Sequence, residues 1–150
     1  MLTPYLRVHD AAAAIAFYTK VFHAREVIRL VEPSGRVAHA EVEFGDDGAR
    51  VMLSEEYPEL GVRGPVTLGG TTVALQLYVD DVDVICERIA TYGGRILLSP
   101  ALDPFGDRTA KLIDPFGHEW LVATKVQSIT SDEMRRRFNR MMGVPEGQNG

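Results

Sequence analysis

The chain has 150 residues, enough for one compact domain with a sizeable core. Its 45% apolar and 25% charged residues are ordinary for a globular protein, and its net charge of −5 argues against nucleic acid as a partner, because phosphate binding needs a basic face. One cysteine, Cys86, excludes an intrachain disulfide. No apolar run approaches the roughly 20 residues of a membrane span, and no signal peptide opens the chain, so a cytoplasmic protein with no membrane partner is expected.

Residues 3–8 read as a strand, with Leu6 and Val8 on one face and Thr3, Tyr5 and Arg7 on the other. Asp10 is placed to cap an alanine-rich helix over 11–22, where Ala14, Phe17, Tyr18 and Val21 recur at helical spacing. Strands follow at 26–31, 37–44 and 50–54, separated by Pro33-Ser34-Gly35 and Asp46-Asp47-Gly48. Residues 56–70, rich in Pro, Gly and Glu, read as a linker of the length expected for a lid or hinge.

A strand over 72–79 then leads into a helix capped by Asp81 and stopped by Gly93-Gly94, with Ile85, Ile89 and Tyr92 on its apolar face. Residues 95–98 read as a strand and 99–106 as a loop; 108–113 and 119–124 form a hairpin around Asp114-Pro115-Phe116-Gly117. A tail helix covers 130–142, opened by Thr130 and Glu133 at capping-box spacing. Its stripe of Met134, Phe138 and Met141 would clasp the core or a second subunit.

The second half repeats the first. Arg36-Val37-Ala38-His39 running to Phe44-Gly45 is echoed by Arg108-Thr109-Ala110-Lys111 running to Phe116-Gly117, and Leu6-Arg7-Val8-His9-Asp10 by Leu77-Tyr78-Val79-Asp80-Asp81. The expected division of this single domain is module one over 1–55, linker over 56–70, module two over 71–125 and the tail helix over 130–142. Paired modules of this kind leave a groove suited to a small molecule.

Strand parity assigns the faces. Ala38, Ala40, Val42 and Phe44, then Val73, Leu75, Leu77 and Val79, then Ala110, Leu112, Trp120 and Val122 should lie under the helices. The opposite face then carries Tyr5, Arg7, His39, Glu41, Glu43, Gln76, Tyr78 and Lys111, with Phe105 and Asp107 at the entry to the seventh strand. Glu41 is the candidate general base and His39 its hydrogen-bonding neighbour; the plain structural alternative is a face on which Glu41 pairs with Lys111 or Arg7. Tyr5, Arg7, Glu43, Gln76, Tyr78, Phe105, Asp107 and Lys111 are the candidate ligand contacts. The carboxylates of Glu41, Glu43 and Asp107 would favour a cationic or polar ligand.

Pro4-Tyr5-Leu6-Arg7-Val8, the helix with Phe17-Tyr18, and Asp114-Pro115-Phe116-Gly117-His118 resemble the vicinal oxygen chelate superfamily of glyoxalase I, bleomycin-resistance proteins and extradiol dioxygenases, over residues 2–125. The resemblance implies an α+β fold of two βαβββ modules in a curved, half-open mixed sheet, here followed by a C-terminal helix, and a homodimer. It also implies a divalent metal held by four strand residues, which fall here at Thr3, Leu53, Ala74 and Leu121, all poor ligands. One-residue slips give Met52 or Ser54, and Val73 or Leu75, and restore nothing. The expectation is a metal-independent protein with no cofactor that binds a drug or metabolite in its concave cavity. The alternative is a lyase, isomerase or dioxygenase of the same superfamily, with a displaced divalent metal or with Glu41 as base. No serine-hydrolase elbow, zinc-protease helix or phosphate loop is present in the sequence.

Overall fold

The computed structural model describes residues 1–145 and residue 147. Module one comprises β1 (Tyr5–Val8), α1 (Ala11–Phe22), β2 (Arg25–Val31), β3 (Val37–Phe44) and β4 (Ala49–Glu55). A 3₁₀ turn (Pro58–Leu60) and the short helix α2 (Pro65–Leu68) follow. Module two comprises β5 (Ala74–Tyr78), α3 (Val82–Thr91), β6 (Arg95–Leu102), β7 (Asp107–Ile113) and β8 (Glu119–Lys125), and α4 (Ser131–Met142) ends the fold. The fold is α+β, with two mixed four-stranded sheets ordered β1-β4-β3-β2 and β5-β8-β7-β6. In each sheet the first strand runs parallel to its neighbour and the other pairings are antiparallel.

Local chemistry sets the element ends. Asp10 Oδ1 accepts from the Ala13 amide at 2.9 Å and opens α1, and Asp81 does the same for α3 through the amides of Asp83 and Val84. β1 starts at Tyr5 rather than Thr3 because Pro4 has no N–H for the ladder, although its carbonyl accepts from Met52. β6 runs on to Leu102, through residues expected to loop. It is an edge strand, where Pro100 costs no shared hydrogen bond, and its register with β7 shifts between Leu98 and Ala101. β5 begins at Ala74, which leaves Val73 exposed instead of under a helix. Val37, not Ala38, is buried at the start of β3, where the register with β2 shifts.

The inward faces of both sheets and the apolar sides of α1 and α3 form one core. The rings of Phe22 and Phe44 from module one lie 4.8 and 5.5 Å from that of Trp120 in module two. Buried Asp114 clasps the modules together. Its Oδ1 accepts from the amides of Phe116 and His118, and its Oδ2 from the Tyr18 hydroxyl at 2.7 Å and Trp120 Nε1 at 2.9 Å. Burial and the nearby carboxylate hold the Tyr18 phenol well above its ordinary pKa.

The linker is tied down by hydrogen bonds and close contacts. Glu56 Oε1 accepts from the Gly64 amide and the Thr67 hydroxyl, and Tyr57 bridges to Val62. At Gly64 a Cβ would stand 2.7 Å from the Arg7 carbonyl oxygen, and at Gly117 one would stand 2.8 Å from Pro65 Cβ. The segment 64–65 is therefore wedged between β1 and the β7–β8 turn. In contrast, α4 buries no residue and does not clasp the core. Met134, Phe138, Met141 and Met142 are exposed, and Arg137 holds the helix to the Pro104 carbonyl and Gln127. No helix among the described residues is long and apolar enough to cross a membrane.

Candidate functional site

The outward face of sheet one carries a continuous polar network. The Tyr5 hydroxyl bonds to His39 Nδ1 at 3.0 Å with the two rings stacked, and His39 Nε2 lies 3.2 Å from Glu41 Oε1. A carboxylate only accepts, so Nε2 carries a proton, and with the imidazole neutral Nδ1 accepts from the Tyr5 hydroxyl. Arg50 on β4 reaches Glu41 at 2.8 Å and Glu43 at 3.2 Å, and Arg25 on β2 reaches Glu43 at 3.0 Å. These are cross-strand contacts, since Glu43 stands opposite both Arg50 and Arg25 in the ladder. The His39 hydrogen bond, then Arg50, holds the Glu41 carboxyl below its usual range; Arg50 and Arg25 do the same for Glu43. Glu41 therefore pairs with His39 and Arg50, not with Lys111 or Arg7.

Arg7 occupies a different niche on the same strand as Tyr5. Its guanidinium lies 4.0 Å from the Tyr5 ring centroid and donates to Oγ of Ser54, a fully buried residue whose own proton goes to the Glu55 carbonyl. Beside it, β1, the 64–72 segment and His118 enclose a cleft of about 490 Å³.

Sheet two is sparser. Tyr78, 55% exposed, donates to Asp107 at 2.7 Å, which raises its phenol pKa. Lys111 pairs with Glu119 at 2.7 Å, and Gln76 is exposed on β5. Phe105 is half-buried in the β6–β7 loop, where Asp103 accepts from the amides of Phe105 and Asp107. Arg108 turns away to Asp83. The polar side chains of the two outward faces share no hydrogen bond or ion pair among the described residues, and each face looks away from the common core.

Arg50, which sequence reasoning passed over, shares the outward parity of β4 with Ser54, a signal that was present. Arg63 sits in the linker, where no periodicity exists to read, and His118, after the β7–β8 turn, reaches the Arg7 carbonyl oxygen with Nε2 at 2.9 Å.

The strand positions expected for a metal do not fit one. Leu53 is fully buried in the core, so the outward positions of β4 are Met52 and Ser54, and Ala74 and Leu121 supply no donor atom. Among the described residues no three His, Cys, Asp or Glu side chains are grouped to hold an ion.

Residues 2–122 match the model of the Glyoxalase/Bleomycin resistance protein/Dioxygenase superfamily. An uncharacterized protein of Mycobacterium bovis is 37% identical over 137 residues, 89% of each chain. Among solved structures, a glyoxalase-related enzyme from Fulvimarina pelagi has a TM-score of 0.64 at 23% identity, covering 88% of this chain and 93% of that one. The fosfomycin resistance protein FosX from Listeria monocytogenes, complexed with Mn(II) and sulfate, has a TM-score of 0.66 at 17% identity, covering 92% and 96%. The sequence match and the paired modules agree: this chain belongs to the Glyoxalase/Bleomycin resistance protein/Dioxygenase superfamily.

Proposed function

We propose that the protein binds a small organic molecule, a drug or metabolite, without a metal, on the outward faces of its two sheets. The observation that carries this reading is the content of those faces. Positions where the family would place ligands hold Thr3, Leu53, Ala74 and Leu121, while the outward strand positions near them carry aromatic and hydrogen-bonding side chains. A thermal-shift screen of small metabolites and antibiotics tests it, together with elemental analysis after loading with nickel, zinc, manganese or iron and desalting. The expected outcome is a saturable rise in Tm with at least one compound and no metal retained near one per chain. A silent screen, or stoichiometric metal, would sink it.

The working unit is a homodimer. The outer strands carry exposed apolar side chains, Val27, Ile28, Leu30 and Val31 on β2 and Ile96, Leu97, Leu98 and Leu102 on β6. These exposed apolar edges are what a second copy would cover. Leu98→Glu, at a residue 64% exposed, should yield a folded monomer by light scattering where the parent chain is a dimer.

The Tyr5–His39–Glu41 chain favours a second reading as an acid–base enzyme, in which His39 takes the Tyr5 proton while Glu41 stabilises the imidazolium. Glu41→Gln separates the two readings. An enzyme loses turnover with binding retained, whereas a binder changes affinity alone.

A further inference from the structure

The cleft between β1 and the linker differs in charge from the rest of this acidic chain. Its wall includes Arg7, Arg63, His118, Tyr5 and the hydroxyl residues Thr71 and Thr72, and no carboxylate side chain. The arginines of β2 and β4 are all paired with glutamates, but Arg7 and Arg63 have no ion-pair partner among the described residues. Glu56, in the linker, has its Oε1 engaged by the Gly64 amide and the Thr67 hydroxyl, and its carboxylate also feels the charge of Arg63 without forming an ion pair with it.

Arg7 is also pre-positioned. Its guanidinium is stacked on Tyr5 and tied to buried Ser54, which uses one of its five N–H donors. Its backbone carbonyl accepts from His118 Nε2 and lies tight against Gly64, so the strand cannot drift from the cleft. A planar, fixed guanidinium with donors to spare is matched to an oxyanion.

We propose that this cleft binds the carboxylate or phosphoryl group of a small organic anion between Arg7 and Arg63. The proposal rests on the small-molecule function above and narrows its ligand: the carboxylates of Glu41, Glu43 and Asp107, expected to draw a cation, are already bonded, and the wall of this cleft carries arginine but no carboxylate.

Isothermal titration of the intact chain with benzoate, inorganic phosphate and choline at matched ionic strength tests it. Saturable binding is expected for benzoate or phosphate and none for choline, with the two anions telling carboxylate from phosphoryl recognition. Arg7→Gln and Arg63→Gln should each weaken the anion by about tenfold, the scale of one charge-assisted contact. Arg63 is exposed in the linker, so its variant reports even if Arg7→Gln folds poorly. Anion binding that both variants leave intact, or the absence of any saturable anion, overturns the assignment. If choline or a neutral compound saturates instead, the anion site falls and the small-molecule function stands. If no compound of any charge binds, both fall.

Discussion

The two modules share a plan and differ in what they show to the outside. Inward, the same parity buries Ala40, Val42 and Phe44 in one sheet and Ala110, Leu112, Trp120 and Val122 in the other, and the two sets meet in one core. Outward, sheet one carries a six-residue network from Tyr5 through His39, Glu41, Arg50 and Glu43 to Arg25, whereas sheet two has two separate pairs, Tyr78–Asp107 and Lys111–Glu119. Packing requirements hold the inner faces to one pattern, while the outer faces are free to diverge. Function in a duplicated fold is therefore to be sought where the copies disagree.

Breaking what the modules share should have the largest effect. Asp114→Ala leaves the Tyr18 hydroxyl, the Trp120 indole and two amides without their acceptor, and should cost about 3–5 kcal/mol in urea unfolding. Probes in both modules should lose stability together; loss confined to module two would show that the modules are independent. Tyr18→Phe removes one of those bonds and should cost about 1–2 kcal/mol at neutral pH. The raised Tyr18 pKa adds a pH signature. Its stabilising effect is complete below the ordinary phenol pKa of about 10 and is lost as pH rises through the higher folded value. Melting curves at increasing alkaline pH should therefore fall more steeply for the parent than for Tyr18→Phe.

The smallest effect should come from the faces that differ. Glu41 and Glu43 have lowered pKa values, so their contribution is present above the ordinary carboxylate range near about 4 and disappears as pH falls through the depressed folded values. Arg50→Gln should flatten that acid limb slightly, and Lys111→Gln, which breaks an isolated pair, should leave it unchanged. Equal responses would erase the contrast between the two sheets.

Much of the fold was legible because period and punctuation agree along the chain. Asp10, Asp81 and Thr130 cap where their side chains predicted, and α1 occupies the expected residues. Parity found Tyr5, His39 and Glu41 on one face, but not their partners. Arg50 and Arg25 meet Glu41 and Glu43 only through strand register, which local sequence does not specify. The linker's contacts were hidden for a related reason: Pro and Gly signal irregular backbone, and the close neighbours of Gly64 and Gly117 include residues distant in sequence. Pro100 likewise marked a loop that an edge position allowed to remain a strand.

The clasp at Asp114 has a consequence for synthesis. Tyr18 and Asp114 are 96 residues apart, so at about 5–20 residues per second a ribosome leaves Tyr18 without its acceptor for roughly 5–20 s. During that interval the nascent first module also lacks Trp120, and its rings at Phe22 and Phe44 remain uncovered. Translation of the Asp-Pro-Phe-Gly turn and the tryptophan after it is thus the step that closes the domain, and a chain stalled before it would present an open apolar surface to chaperones and proteases.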